Sequence, residues 1–158
     1  MESERDRGTT FTIHLPVAEG EATATRSVPD EHQQLQGTET ILLVEDEQPI
    51  RELVRKVLVR YGYNVLEASD VAHALQIAEG HPAPIHLLLS DIVMPELNGP
   101  DLAQRVVRHR REVRVLYMSG FSNRLGAGVG ALSAGIGVLE KPFTPEGLAT
   151  SVRECLSR

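Results

Sequence analysis

The sequence predicts an α/β protein built around a parallel sheet. Short apolar runs such as Ile41-Leu42-Leu43-Val44 have the length and continuous hydrophobicity of strands that are buried on both faces. Between these runs, apolar residues recur every three or four positions, which is the period of an amphipathic helix. Strands that alternate with helices in this way favour a parallel sheet with helices packed on its faces.

The elements can be placed in order from residue 40 onward. Strands are predicted at residues 41–44, 63–67, 85–91, 113–118 and 136–139. Helices are predicted from the apolar positions within residues 50–61, 71–78, 102–107 and 148–156. We expect Gly62 to follow the first helix, and Gly80 and Pro82 to end the second, because these residue types commonly terminate helices.

The segment between the fourth and fifth strands departs from this pattern. Gly126, Gly128 and Gly130 alternate with other residues where a helix is expected, and each costs about 1 kcal/mol relative to alanine. This favours a short, easily melted helix, with disorder or a glycine-rich phosphate loop as the alternatives. A phosphate loop would follow its strand directly and end in a lysine, which this segment does not. We expect residues 125–134 to be the least protected part of the folded domain.

The first 37 residues have a different character. Residues 8–16 alternate polar and apolar side chains between a glycine and a proline, which predicts a single strand with no sheet of its own to join. Residues 19–37 contain few large apolar side chains and are predicted to form a flexible linker. The compact domain is therefore expected to span residues 38–158.

Composition excludes several classes of function. The chain has 158 residues and a net charge of −6, and this mildly acidic balance argues against duplex DNA as a direct partner. A single cysteine, Cys155, excludes an internal disulfide and fits a reducing compartment. No apolar stretch approaches the length of a membrane span, so we expect a cytoplasmic location.

Acidic residues and one lysine follow the predicted strands. Glu45 and Asp46 follow the first strand, Asp91 ends the third, and Lys141 follows the fifth. Ligands of open parallel sheets bind at the carboxyl ends of the strands, so these side chains are expected at one edge. Three acids and a lysine there predict a site for Mg²⁺ and a phosphoryl group. Taken singly, an acid at a strand end could equally cap the next helix.

Four motifs in the same order resemble the receiver domain of two-component response regulators. They are Glu45-Asp46, Asp91-x-x-Met94-Pro95-x-x-Asn98-Gly99, Tyr117-Met118-Ser119-Gly120 and Lys141-Pro142-Phe143. The resemblance implies a flavodoxin-like (β/α)₅ fold, doubly wound, with five parallel strands in the order 2-1-3-4-5. The chain by itself would then be a self-phosphorylating receiver rather than an enzyme.

The resemblance also implies roles for individual residues. Asp91 would be the phosphoacceptor, with Lys141 and Ser119 contacting phosphoryl oxygens. Glu45, Asp46, Asp91 and the backbone carbonyl of Val93 would bind Mg²⁺, and the bond before Pro142 would be cis.

Two departures from the family pattern bear on signalling. Val138 stands three places before the lysine, where the family commonly has an aromatic residue that moves inward on phosphorylation. Val93 and Phe121 are apolar at positions where a polar side chain could orient a hydrolytic water. The phosphorylated form is therefore expected to lose its phosphate slowly.

The expected partners are a histidine kinase phosphohistidine domain and a histidine phosphotransfer protein. Residues 8–16 resemble the last strand of a histidine kinase ATP-binding domain, so residues 1–18 are interpreted as the end of such a domain in a hybrid histidine kinase. The alternatives are a disordered tail, a freestanding response regulator, and a Mg²⁺-dependent aspartyl phosphohydrolase. The phosphohydrolase is disfavoured because Val93 stands where such enzymes typically carry a second acid.

Overall fold

The computed structural model describes residues 2–4, 8–10, 12, 34–94, 98–120 and 136–157. The strands in these ranges are β1 (Glu2–Glu4), β2 (Gly8–Thr10), β3 (Thr40–Val44), β4 (Asn64–Ala68), β5 (Leu87–Asp91), β6 (Arg114–Ser119) and β7 (Ile136–Glu140). The helices that lie wholly within them are α1 (Gln48–Arg60), α2 (Val71–Gly80), α3 (Gly99–His109) and α4 (Pro145–Ser157).

Five of the strands form one parallel sheet in the order β4-β3-β5-β6-β7. Counted from β3, this is the order 2-1-3-4-5, which confirms the predicted flavodoxin-like arrangement. The order reverses between β3 and β5, and these two neighbouring strands lead to helices on opposite faces of the sheet. The carboxyl ends of β3 and β5 lie side by side there, with Val44 paired to Ser90.

The core consists of two apolar layers, one on each face of the sheet. In β3, Ile41 and Leu43 belong to one layer, while Leu42 and Val44 belong to the other. Residues of α1 and α4 complete the first layer, and residues of α2 and α3 complete the second. Because helices cover both faces of the sheet, residues 41–44 of β3 are all fully buried. This explains why β3 is continuously hydrophobic over these residues.

The predicted element boundaries agree with the structure to within a few residues. Tyr63, predicted as the first residue of the second strand, instead lies just before β4 and buries its ring in the first core layer. Gly62 follows α1 with φ of 92°, a left-handed conformation that glycine adopts without strain. Its predicted role at the end of the helix is confirmed.

The N-terminal residues form a separate pair of strands. β1 and β2 are antiparallel, with Ser3 opposite Thr9. The sequence predicted a strand at β2 but not the strand β1 that pairs with it, because Glu2-Ser3-Glu4 has a low propensity for strands. The glycine-rich segment at 125–134 lies outside the described residues. Within the described part of the chain, no helix is long and apolar enough to cross a membrane.

Candidate functional site

The parallel sheet brings four chain segments to one edge. Glu45 comes directly after β3, Asp91 is the last residue of β5, Ser119 is the last of β6, and Lys141 follows β7. These residues are far apart in the sequence. They come together because the strands are parallel and end at the same edge of the sheet. These residues therefore lie at the carboxyl ends of the strands, as the sequence predicted.

Three carboxylates form a compact cluster at this edge. One carboxylate oxygen each from Glu45, Asp46 and Asp91 can be chosen so that all three lie within 4.8 Å of one another. Glu45 is fully buried, Asp91 is partly buried and Asp46 is exposed. Like charges at this spacing repel, so a cation nearby stabilises the cluster.

Lys141 supplies one such cation. Its Nζ atom lies 2.8 Å from Oε2 of Glu45 and 2.8 Å from Oδ2 of Asp91. Burial acts to lower the pKa of Lys141, but its hydrogen bonds to Asp91 and Glu45 outweigh burial and raise the pKa above its ordinary value. Burial raises the pKa of the Glu45 carboxyl, and the hydrogen bond from Lys141 offsets only part of that effect. Lys141 thus stays charged between its two acidic partners.

The backbone at the ends of β6 and β7 fixes the base of Lys141. The Lys141 N–H donates to the carbonyl oxygen of Ser119 at 2.7 Å, and Ser119 is almost fully buried. The peptide bond between Lys141 and Pro142 is cis, as predicted. Ser119 and Lys141 therefore lie next to each other at the end of the sheet.

The turn after β5 is held close to Asp91. The Val93 N–H donates to Oδ1 of Asp91 at 3.3 Å, and the Gly99 N–H donates to the carbonyl oxygen of Ile92 at 2.9 Å. A Cβ atom on Gly99 would collide with the carbonyl oxygen of Asp91, so glycine allows α3 to begin against the strand end. The Asn98 side chain accepts from the Asp101 N–H at 2.9 Å and caps α3.

The helix-capping alternative for the acidic residues does not fit this geometry. The N-cap residue of α1 is Glu47, which makes no side-chain capping bond, and the cap of α3 is Asn98. Asp46 and Asp91 cap neither helix. Their carboxylate oxygens instead lie close together with one from Glu45, and oxygen ligands of this kind suit Mg²⁺.

Comparison with known proteins identifies the family. Residues 41–153 match the response regulator receiver domain. The chain belongs to this family.

Similar proteins include kinases and regulators of two-component systems. Sensor kinase CckA of Brucella abortus (strain 2308) is 33% identical over 164 residues, covering 99% of this chain and 17% of the kinase. Response regulator receiver protein CpdR of the same organism is 31% identical over 73% of this chain and 95% of its own length. The solved receiver domain of the hybrid histidine kinase CckA is 35% identical, with a TM-score of 0.63 over 74% of this chain and 98% of that domain. This chain spans about half or less of the first curated relatives that it matches.

The two departures from the family pattern have different positions in this receiver domain. Val138 lies in the edge strand β7 with 37% of its surface exposed. Val93 lies two residues after Asp91, with 69% of its surface exposed and its N–H bonded to the Asp91 carboxylate. Phe121, like Pro95, lies outside the described residues.

Two residues of the site were missed from the sequence. Ser90 is fully buried and donates its hydroxyl to the carbonyl oxygen of Asp91 at 2.9 Å. Arg51 donates to the carbonyl oxygens of Glu45 and Asp46. The available signal for Ser90 was a polar residue directly after the leucines of β5. The sequence held no signal for the bonds of Arg51, which depend on the path of the turn.

Proposed function

We propose that this receiver domain accepts a phosphoryl group on Asp91 from a phosphohistidine, with Mg²⁺ as cofactor. The observation that carries the proposal is the convergence of Lys141, Glu45 and Asp91. A carboxylate at a strand end, bonded to a partly buried lysine and beside two further acids, has the groups that phosphoryl transfer requires.

The proposed ligands of Mg²⁺ are the carboxylates of Glu45, Asp46 and Asp91, with the backbone carbonyl of Val93. The donor set fits because all are oxygen ligands and the three carboxylates lie in one small cluster. When bound, Mg²⁺ supplies positive charge that offsets the negative charge of the carboxylates and the phosphoryl oxygens.

The transfer itself uses few protein groups. A carboxylate oxygen of Asp91 attacks phosphorus and forms an acyl phosphate, while the P–N bond of the phosphohistidine breaks. Its electron pair returns to the imidazole nitrogen, which takes a proton from solvent. Lys141 shifts a hydrogen bond from Asp91 to a phosphoryl oxygen, and the Ser119 hydroxyl donates to another.

The proposed donor is a histidine kinase, and the proposed acceptor in a relay is a histidine phosphotransfer protein. We also propose that the chain is the C-terminal part of a hybrid kinase, with residues 1–18 ending an ATP-binding domain, 19–37 forming a linker and 38–158 the receiver. Similarity to a sensor kinase over almost the whole chain, including the residues before 38, supports this proposal. A freestanding regulator is the alternative, supported by CpdR, whose length the match almost fills.

Intact mass spectrometry tests the phosphoacceptor. After incubation with Mg²⁺ and acetyl phosphate, the wild-type chain should gain one phosphoryl group that hydroxylamine removes, because acyl phosphates react with it. Asp91→Asn should gain none, since an amide is a poor nucleophile. Asp101→Asn, which alters an exposed acid in the first turn of α3, should be labelled like the wild type.

The same assay separates a receiver from a phosphohydrolase. A receiver accumulates label to no more than one group per chain, whereas a phosphohydrolase releases many phosphates per chain without lasting label. Undiminished labelling of Asp91→Asn would place the phosphoryl group elsewhere and refute the proposal.

A further inference from the structure

Arg51 contacts the backbone of the acidic cluster rather than its carboxylates. Its Nη1 donates to the carbonyl oxygen of Glu45 at 2.6 Å and to that of Asp46 at 3.3 Å. Both acceptors lie between β3 and α1, so one guanidinium bonds to two successive peptide groups of this turn.

Helix stability does not explain this position. Arg51 lies at the end of the first turn of α1, where the helix dipole disfavours a positive charge. The unpaired groups at a helix N-terminus are N–H donors, which a guanidinium cannot satisfy. Arg55, one turn further along α1, bonds instead to the Glu67 carboxylate at 2.9 Å. Within the described residues Arg51 makes no such ion pair.

The turn that Arg51 holds carries two of the three carboxylates. Glu45 is also held by three other hydrogen bonds. Its N–H donates to the Ala68 carbonyl oxygen, its Oε1 accepts from the Glu47 N–H and its Oε2 accepts from Lys141. The Asp46 side chain makes no hydrogen bond within the described part of the chain. Its direction therefore depends on its backbone, and Arg51 holds the carbonyl of that residue.

We propose that Arg51 is a positioning residue that orients the turn from Glu45 to Glu47 so that the Asp46 carboxylate meets Glu45 and Asp91 around a divalent cation. The proposal deepens the function proposed above, and it rests on that function only in taking Mg²⁺ as the cation. Groups that orient metal ligands typically change metal affinity about 10-fold or more when they are removed.

Charge and geometry predict opposite effects of removing Arg51. Loss of a positive charge near three carboxylates would by itself tighten cation binding. Loss of the two hydrogen bonds would loosen the turn and weaken binding. We expect the second effect, with the Mg²⁺ dissociation constant of Arg51→Ala raised about 10-fold.

Calorimetric titration of the 158-residue chain with MgCl₂ measures this constant without a phosphodonor. Arg55→Ala is the matched control, because Arg55 lies in the same helix but contacts Glu67 instead of the turn. Its Mg²⁺ dissociation constant should equal that of the wild type. Arg51→Lys keeps the charge but replaces the guanidinium with an ammonium on a shorter, flexible side chain, which reaches the two carbonyl oxygens less well. The Mg²⁺ affinity of Arg51→Lys should fall between those of the wild type and Arg51→Ala. If circular dichroism shows that Arg51→Ala does not fold, Arg51→Lys is the variant that tests the proposal.

Acetyl phosphate labelling gives a second readout. In Arg51→Ala the Mg²⁺ concentration for half-maximal labelling rate should rise in the same proportion, while the rate at saturating Mg²⁺ approaches that of the wild type. A folded Arg51 variant with unchanged or tighter Mg²⁺ binding would overturn the proposal, as would an equal loss in Arg55→Ala or a wild type that binds no Mg²⁺. If the wild type binds Mg²⁺ but Asp91 is not labelled, the proposed function fails while the role of Arg51 stands.

Discussion

Glu45 and Asp46 are adjacent in sequence but differ in environment. Glu45 is fully buried and bonded to Lys141, so replacing it would leave a partly buried ammonium with one fewer partner and would disturb the fold as well as the site. Asp46 is exposed, and its carboxylate is near the other two without bonding to Lys141. Asp46 is therefore the acid whose contribution to cation binding can be separated from its contribution to stability.

We expect Asp46→Ala to abolish Mg²⁺-dependent labelling while leaving thermal stability nearly unchanged. The substitution removes a proposed ligand, and changes at exposed positions usually alter stability by about 0.5 kcal/mol or less. Glu47→Ala is the control, because Glu47 is an exposed acid next in sequence whose side chain makes no capping bond. Unchanged Mg²⁺ affinity in Asp46→Ala would show that the cation is held by other residues.

At the scale of elements, the start of α3 is fixed by the close approach of Gly99 to β5. The atom that a Cβ at this position would meet is the backbone carbonyl oxygen of Asp91, which cannot turn away as a side chain would. Relief requires α3 or the turn after β5 to shift, and that turn also supplies the Val93 N–H bonded to Asp91. Packing and site geometry are therefore linked here.

We expect Gly99→Ala to lower the free energy of unfolding by about 1–3 kcal/mol, which is typical of overpacking, and to slow labelling of Asp91. Gly80→Ala is the matched control. A Cβ there meets no atom within 4 Å, and alanine is the better helix former, so this variant should be at least as stable as the wild type. Denaturant unfolding of both variants measures the difference. Equal stability of Gly99→Ala and the wild type would mean that the chain absorbs the added methyl without strain.

Element types and their order could be predicted because both rest on local pattern. The run 41–44 predicted a strand buried on two faces, and β3 proved to be one. The carboxylate cluster could be anticipated because parallel strands end at a common edge. The bonds of Arg51 to carbonyl oxygens could not, since they depend on the path of a turn and not on residue type. β1 was missed for a related reason, because its charged residues gain strand structure only from pairing with β2.

At the scale of the whole molecule, the chain enters the domain at the edge of the sheet opposite the acidic cluster. The entry segment, residues 34–39, leads into the start of β3, whose five residues separate it from the cluster by about 15 Å. Leu35 packs against the first core layer, and its carbonyl accepts the Tyr63 hydroxyl at 2.9 Å. The Gly37 N–H donates to the Tyr61 carbonyl at 3.0 Å. Contacts with the domain thus begin before residue 38, within the predicted linker.

The last helix also holds the entry segment. Arg153 of α4 donates to Oε1 of Glu39 at 2.6 Å and to the Gln36 carbonyl at 3.4 Å. The hydrogen bond from Arg153 lowers the pKa of Glu39 below its ordinary value of 4.5, although burial acts in the opposite direction. The Arg153–Glu39 ion pair therefore connects the segment before β3 to the last helix of the domain.

This ion pair gives stability a defined dependence on pH. Because the pKa of Glu39 is lower in the folded than in the unfolded chain, its contribution is complete above pH 4.5 and is lost as the pH falls through the folded-state value. We expect Glu39→Gln to be less stable than the wild type by about 1 kcal/mol at pH 7, and the difference to vanish in more acidic solution.

Denaturant unfolding of both chains from pH 7 to pH 3 measures this difference. In an Arg153→Ala background the effect of Glu39→Gln at pH 7 should nearly disappear, since the partner is already absent. Glu67→Gln is the matched control for an ion pair, because the Arg55–Glu67 pair is more exposed and should contribute less. A difference between the wild type and Glu39→Gln that stays constant down to pH 3 would show that the carboxyl group of Glu39 acts through hydrogen bonds that glutamine cannot make and not through its charge. The entry segment would then be held by its backbone contacts and by the packing of Leu35.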